Sequence, residues 1–173
     1  MGLDVNTPRG QKTREEEEKA ISLWHDRFPL FQYIHTNKEE EARADALLVT
    51  GNQLRAVSEI KCRWDVSLST LFGEFSGEWL VTNQKIIDCV TVAHLLNVPF
   101  IGMLWLVDEE ALLYKTIWRP KEGYLFKFDI RLTKTQKTVN GGEVERLNAF
   151  IPMRDARIIR RADTPSRFED IIL

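Results

Sequence analysis

The sequence predicts an α/β fold with a central mixed β-sheet flanked by helices, and three observations carry that expectation. Residues 14–28 and 82–97 show helical apolar spacing. Residues 100–107 form a continuous apolar run of the kind found in a strand buried on both faces. Short Val-, Ile- and Leu-rich segments separated by turns fill much of the rest. A chain of 173 residues that is 43% hydrophobic and 29% charged is long enough for one well-buried domain. We therefore expect a single domain over residues 13–173, preceded by a flexible tail at residues 1–12.

Each element has its own signal. Residues 1–12 are polar and carry Pro8 and Gly10, which marks a loose tail. Thr13 with Glu16 fits a capping box, and Glu15, Glu16, Glu17 and Glu18 suit the positive end of a helix dipole, so a helix should follow over residues 14–28. Its apolar face is Ala20, Ile21, Trp24 and Phe28, and helical spacing back from that face lands on Glu17. One acid of the four should point inward. After Pro29, residues 30–35 read as a strand and residues 36–41 as a charged turn. Residues 44–49 and 55–61 read as the two strands of a hairpin. Residues 64–78 have no clean period and read as a loop with a short helical piece. The next helix, capped by Thr82 or Asn83, should end at Asn97 before Pro99 and bury a stripe of Ile86, Val90, Ala93 and Leu96 or Asn97. The central strand over residues 100–107 should pair with residues 111–118 across an acidic turn. Residues 124–133 and 143–152 read as extra C-terminal strands joined by a hairpin tip at residues 134–142.

The hairpin carries charge where a sheet normally takes apolar residues. With a three-residue loop at residues 51–53, Thr50 faces Leu54 and Asp45 stands opposite Glu59. Alternation then puts Glu59 and Lys61 on one face and Ile60 on the other. Like charges so opposed repel by roughly 0.2–1 kcal/mol, and by more where the patch is dry. Lys61 offsets part of that repulsion. Two carboxylates at a strand pair also make a hard-oxygen site for Mg²⁺, or Mn²⁺ as its substitute, which keeps several waters and recruits phosphate. The plainer alternative is a surface hairpin with a cross-strand ion pair.

Composition narrows the function classes. No apolar run approaches the roughly 20 residues of a membrane span and the amino terminus lacks an apolar leader core, so a cytoplasmic protein with no membrane partner is expected. Cys62 and Cys89 lack metal-ligand spacing, as do His25, His35 and His94. The net charge of -2 argues against indiscriminate coating of nucleic acid. Between residues 115 and 137, however, Lys115, Arg119, Lys121, Lys127, Arg131, Lys134 and Lys137 face only Glu122 and Asp129. Such a segment suits a phosphate-tracking face or a solvated strand surface equally.

The succession helix, strand, strand with Asp45, strand with Glu59-Ile60-Lys61, helix, buried strand resembles the PD-(D/E)XK nuclease superfamily over about residues 14–107. Glu17 on the first helix and Gln84-Lys85 opening the later one add to the resemblance, while Ala44 stands where the family name has Pro. The resemblance implies a restriction-endonuclease-like αβββαβ core and Mg²⁺-dependent hydrolysis of DNA, by an endonuclease rather than an exonuclease, in phage or mobile-element DNA processing, repair or recombination. It implies that Asp45, Glu59 and the Ile60 carbonyl hold the metal, that Lys61 orients the attacking water, and that Glu17 serves a second metal or its water shell. Gln84 or Lys85 would contact the scissile phosphate. Arg63, Trp64, Lys85, Lys115, Arg119 and Lys121 are the expected nucleic-acid contacts, with Trp64 placed to stack on a nucleotide. A homodimer would suit a small nuclease that cuts two strands, although no segment marks the interface. The rival readings are a catalytically silent nucleic-acid-binding or assembly subunit of the same fold, and a non-nuclease α+β domain whose ion-paired hairpin is coincidental.

Overall fold

The computed structural model describes residues 7–37, 42–136 and 142–161. Its first helix, α1 (Pro8–Arg27), starts earlier than expected. Thr7 is the N-cap and its Oγ1 accepts from Gly10 N at 3.0 Å, while Pro8 occupies the first turn, where its missing N–H costs nothing. Thr13 is therefore no cap, and its hydroxyl instead donates to Arg9 O at 3.0 Å. The loose tail, as far as it is described, is helical from Pro8 onward.

The strands β1 (Gln32–His35), β2 (Ala46–Thr50) and β3 (Gln53–Arg63) follow, then a short helix α2 (Leu68–Gly73), β4 (Glu78–Thr82) and α3 (Asn83–Leu96). After α3 come β5 (Phe100–Leu106), β6 (Ala111–Arg119), β7 (Gly123–Tyr124), β8 (Asp129–Gln136), β9 (Glu143–Pro152) and β10 (Arg157–Arg160). The central sheet has the order β1-β2-β3-β5-β6-β10, with β7 paired to β6. Only β3 and β5 run parallel, joined by the α3 crossover, so the sheet is mixed. The expected α/β class and the helix–strand–strand–strand–helix–strand order are both present. Three strands were not foreseen: β4, β7 and β10.

The C-terminal strands also depart from expectation. The predicted strand at residues 124–133 is shifted to Asp129–Gln136, and it joins β9 and β4 in a separate three-stranded sheet. The expected charged turn and hairpin tip lie partly outside the described residues, at 38–41 and 137–141.

Alternation sorts the core into two faces. Ala20, Ile21, Trp24 and Phe28 of α1 pack with Leu48, Ile60, Met103 and Tyr114 on one side of the central sheet. On the other side, Ile86, Cys89 and Ala93 of α3 pack with Val57, Phe100 and Leu104, and with Trp79, Val81, Ala149 and Ile151 of the small sheet. The small sheet thus sits beside α3 and faces the end of β3, and this places the cleft described next.

Candidate metal and nucleic-acid site

Asp45 and Glu59 do face one another, by a different route from the one expected. The turn is two residues, because Thr50 pairs with Gln53 and Gly51 takes the positive φ of +55° that glycine tolerates. A bulge then inserts Arg55, so Leu48 pairs with Ala56 and Ala46 with Ser58. The extra residue expected in the loop lies in the strand, and the register beyond it is the same. At the end of β2, Asp45 is pinned from both sides: its N–H donates to Ser58 O at 3.1 Å and its carbonyl accepts from Thr36 N at 3.0 Å.

The carboxylates are close and differently buried. Asp45 Oδ2 accepts from Ile60 N at 2.9 Å, and its side chain is 14% exposed. Glu59 is fully buried. Lys61 Nζ lies 2.9 Å from Glu59 Oε1, yet that oxygen has no donor in hydrogen-bond geometry. The Lys85 ammonium reaches into the same space, 3.3 Å from Glu59 Oε2, 3.8 Å from Asp45 Oδ1 and 3.1 Å from Ala42 O. A strand residue's N–H and C=O point to the same side, so the Ile60 carbonyl opens on the edge occupied by Asp45. Oxygens of Asp45, Glu59 and the Ala42 carbonyl thus surround the Lys85 ammonium.

The electrostatics follow from burial and these partners. Burial is the main cause that raises the Glu59 pKa, and Asp45 adds to it against the pull of Lys61 and Lys85. Glu59 raises Lys61 above its ordinary value despite burial, so Lys61 is an ammonium without metal. For Lys85, burial opposes the charge, but Glu59 and Asp45 outweigh it and lift the pKa. A lysine in the first turn of a helix also opposes the dipole, which makes the two acids its necessary partners. Cys89 Sγ lies 3.8 Å from Glu59 Oε2, and burial raises its thiol pKa, so it stays neutral there.

The residues present fit a hard divalent cation. Mg²⁺ needs one or two carboxylates and otherwise keeps water or takes substrate oxygens. The two opposed carboxylates, already gathered around the ammonium groups of Lys61 and Lys85, supply that set. Among the described residues no group of three His, Cys, Asp or Glu side chains is placed to hold a metal ion.

The other expected residues divide into two groups. Glu17 is half-buried and lines a cleft of about 520 Å³ together with Lys61, Arg63 and Trp64. The acid turned fully inward is Glu16, which sequence spacing missed: its Oε2 accepts from Trp105 Nε1 at 3.0 Å and its Oε1 from Lys19 Nζ at 2.5 Å. Gln84 is exposed and donates to Asp88 at 3.0 Å, and it lines a second cavity with Lys61 and Lys85. Arg63 spends its guanidinium on Leu80 O at 2.7 Å and Cys62 O at 3.3 Å. Trp64 sits under Lys12 Nζ, 5.9 Å from its ring centroid.

Lys115, Arg119 and Lys121 line neither cavity at Lys61. Lys115 Nζ is held by Pro152 O at 2.8 Å, by the Asp155 carboxylate and by the Phe126 ring, and Arg119 pairs with Glu122 at 3.4 Å. Two cleft residues were not foreseen, Arg146 and Asn148 on β9. Their even-numbered alternation with the buried Ala149 and Ile151 was the available signal.

No helix among the described residues is long and apolar enough to cross a membrane. No protein-family profile matches the chain, and no curated protein sequence matches it. Among solved structures it is similar to Hjc, a Holliday junction resolvase from the archaeal hyperthermophile Archaeoglobus fulgidus. The two are 13% identical over 77% of this chain and 85% of that one, with a TM-score of 0.41. We therefore rest the functional reading on the residues of the site itself.

Proposed function

We propose that this protein is a Mg²⁺-dependent nuclease that hydrolyses DNA phosphodiester bonds, acting as an endonuclease inside the cell in DNA processing, repair or recombination. The observation that carries this reading is the ammonium of Lys85 held between two opposed acids, one of them fully buried, at the mouth of a cleft. A purely structural hairpin has no need to bury Glu59 against Asp45, since leaving a carboxylate dry is costly.

In this reading Asp45, Glu59 and the Ile60 carbonyl hold the ion, with Mn²⁺ able to replace Mg²⁺. The ion when bound supplies charge neutralisation for the phosphoryl oxygens and the leaving alkoxide. Lys61, kept protonated by Glu59, donates to the attacking water and fixes its direction rather than removing its proton. Glu17 faces the same water from across the cleft. Lys85, once freed from the acids, turns its charge toward the scissile phosphate at the start of α3, where backbone N–H groups also favour an anion. DNA is the proposed partner, and a homodimer the proposed assembly for cutting two strands.

The decisive experiment incubates the protein with labelled linear, nicked, flapped and branched DNA in Mg²⁺, then in chelator. Metal-dependent cleavage is expected, with Lys61→Ala still folded but slowed by about 10²-fold, the scale of a lost positioning contact. Asp45→Ala should lose both Mn²⁺ binding and cleavage. Cleavage that persists in Asp45→Ala, or in chelator, overturns the assignment.

A further inference from the structure

The small sheet has two chemically distinct faces. One carries Trp79, Val81, Ala149 and Ile151 into the core. Alternation along β4, β8 and β9 puts Thr82, Thr133, Thr135, Arg146 and Asn148 on the opposite face. Register brings them together, since Thr82 pairs with Asn148 and Thr133 with Arg146. That face lines the cleft whose far wall is Lys61, Glu17 and Trp64, and Thr82 and Arg146 also line the adjoining cavity with Lys85.

Asn148 is the observation that points to a ligand. It is fully buried, as only Ser58 and Glu59 are among the other polar or charged residues described. Its Nδ2 donates to Thr133 Oγ1 at 2.7 Å and to Arg146 O at 3.2 Å, while its Oδ1 has no donor. A buried amide oxygen left unpaired is costly, and a donor arriving in the cleft would satisfy it. Arg146 is exposed beside it, with no ion pair to its guanidinium among the described residues. Guanidinium, amide and hydroxyl groups are the side chains that most often contact phosphate and sugar.

We propose that this face is the second wall of a channel for one nucleic-acid strand, in which Arg146 holds the phosphate backbone and Asn148 takes an N–H of a base next to Lys61. The proposal rests on the nuclease reading for the position of the reacting phosphate. A DNA backbone offers hydrogen-bond acceptors only, so the donor that meets Asn148 Oδ1 is a base N–H, and an unpaired strand is the one that presents its whole base edge. The strand at this wall is therefore one separated from its complement, as it is in a single-stranded flap. Arg146 supplies charge to the phosphate, and Asn148 Oδ1 accepts from that base N–H.

The test is fluorescence anisotropy with a labelled single-stranded oligonucleotide and the matching duplex, in Ca²⁺, over a range of salt. The folded protein should prefer the single strand. Arg146→Ala should weaken that binding roughly tenfold at low salt and lower the slope of log K against log salt by about 0.7, the value for one phosphate of a single strand. Arg146→Lys should restore the slope, and Asn148→Ala should weaken binding without changing it. Lys127→Ala, exposed and outside both cavities, should bind as the unsubstituted protein does. Equal losses for Lys127→Ala and Arg146→Ala, unchanged binding in Arg146→Ala, or a preference for duplex would each overturn the channel. If no DNA is cleaved in Mg²⁺ yet strand binding depends on Arg146, the nuclease reading fails and the channel stands. Cleavage with Arg146→Ala binding unaltered has the opposite meaning.

Discussion

Lys85 is the residue on which the metal-free site turns, because its ammonium lies 3.3 Å from Glu59 Oε2 and 3.8 Å from Asp45 Oδ1. Removing that charge while keeping the stem length leaves Asp45 and Glu59 less compensated. Lys85→Met should therefore bind Mn²⁺ about tenfold more tightly by calorimetry while cleaving DNA more slowly. Unchanged or weaker Mn²⁺ binding would mean the ammonium and the metal do not compete for one place. Glu16 offers a pH signature of its own. Burial pushes its pKa up, but the donors Lys19 and Trp105 outweigh burial and bring it below the ordinary 4.5. A depressed carboxylate stabilises the fold above the unfolded value and loses that contribution as pH falls from 4.5 through the folded pKa. Glu16→Gln should cost about 1 kcal/mol at pH 7, and the gap between the two melting curves should close in acid. A gap that stays constant down to pH 3 would contradict this account.

Among the elements, the β2–β3 hairpin shows how a register can be anticipated while its cause is not. Composition marked the strands and the turn, and the spacing of Asp45 and Glu59 followed from pairing. Whether the unpaired residue sits in the loop or in a bulge depends on local strand twist, which a linear pattern does not encode. The same limit applies to α1, where Glu16 and Glu17 lie a single position apart on the helix and the tilt of α1 on the sheet decides which one reaches Trp105. The β5 strand carries a test of close packing next to the site. Gly102 pairs with Glu59, and an added Cβ there would stand 2.5 Å from a Trp79 ring carbon and 2.6 Å from Ile117 Cδ1. Gly102→Ala should therefore destabilise by about 1–3 kcal/mol, seen as a melting temperature lower by roughly 2–12 °C. An unchanged melting temperature would show that β4 can move aside freely.

The molecule as a whole joins its two sheets through one buried cluster, in which Leu104 and Leu113 of the central sheet meet Ala149, Ile151 and Met153. A core shared in this way predicts cooperative unfolding of the described residues. Tryptophan fluorescence, which reports on Trp24 and Trp105 on one face and Trp79 on the other, should follow the same denaturant curve as far-ultraviolet dichroism. Ile151→Ala should shift both curves together by about 2–5 kcal/mol. Separated transitions would instead divide the small sheet from the rest. Side-chain periodicity was enough to establish the α/β class, the buried central strand, the crossover helix and the facing of Asp45, Glu59 and Lys61, because those features follow from local alternation and from pairing between near neighbours in sequence. The tertiary structure alone decided that Lys85 enters the acid cage, that Lys115 is tied up elsewhere, and that Arg146 and Asn148 line the cleft. Each of these depends on how segments distant in sequence approach one another, and the free energy that sets the approach comes from packing of the whole core rather than from any stretch of the chain.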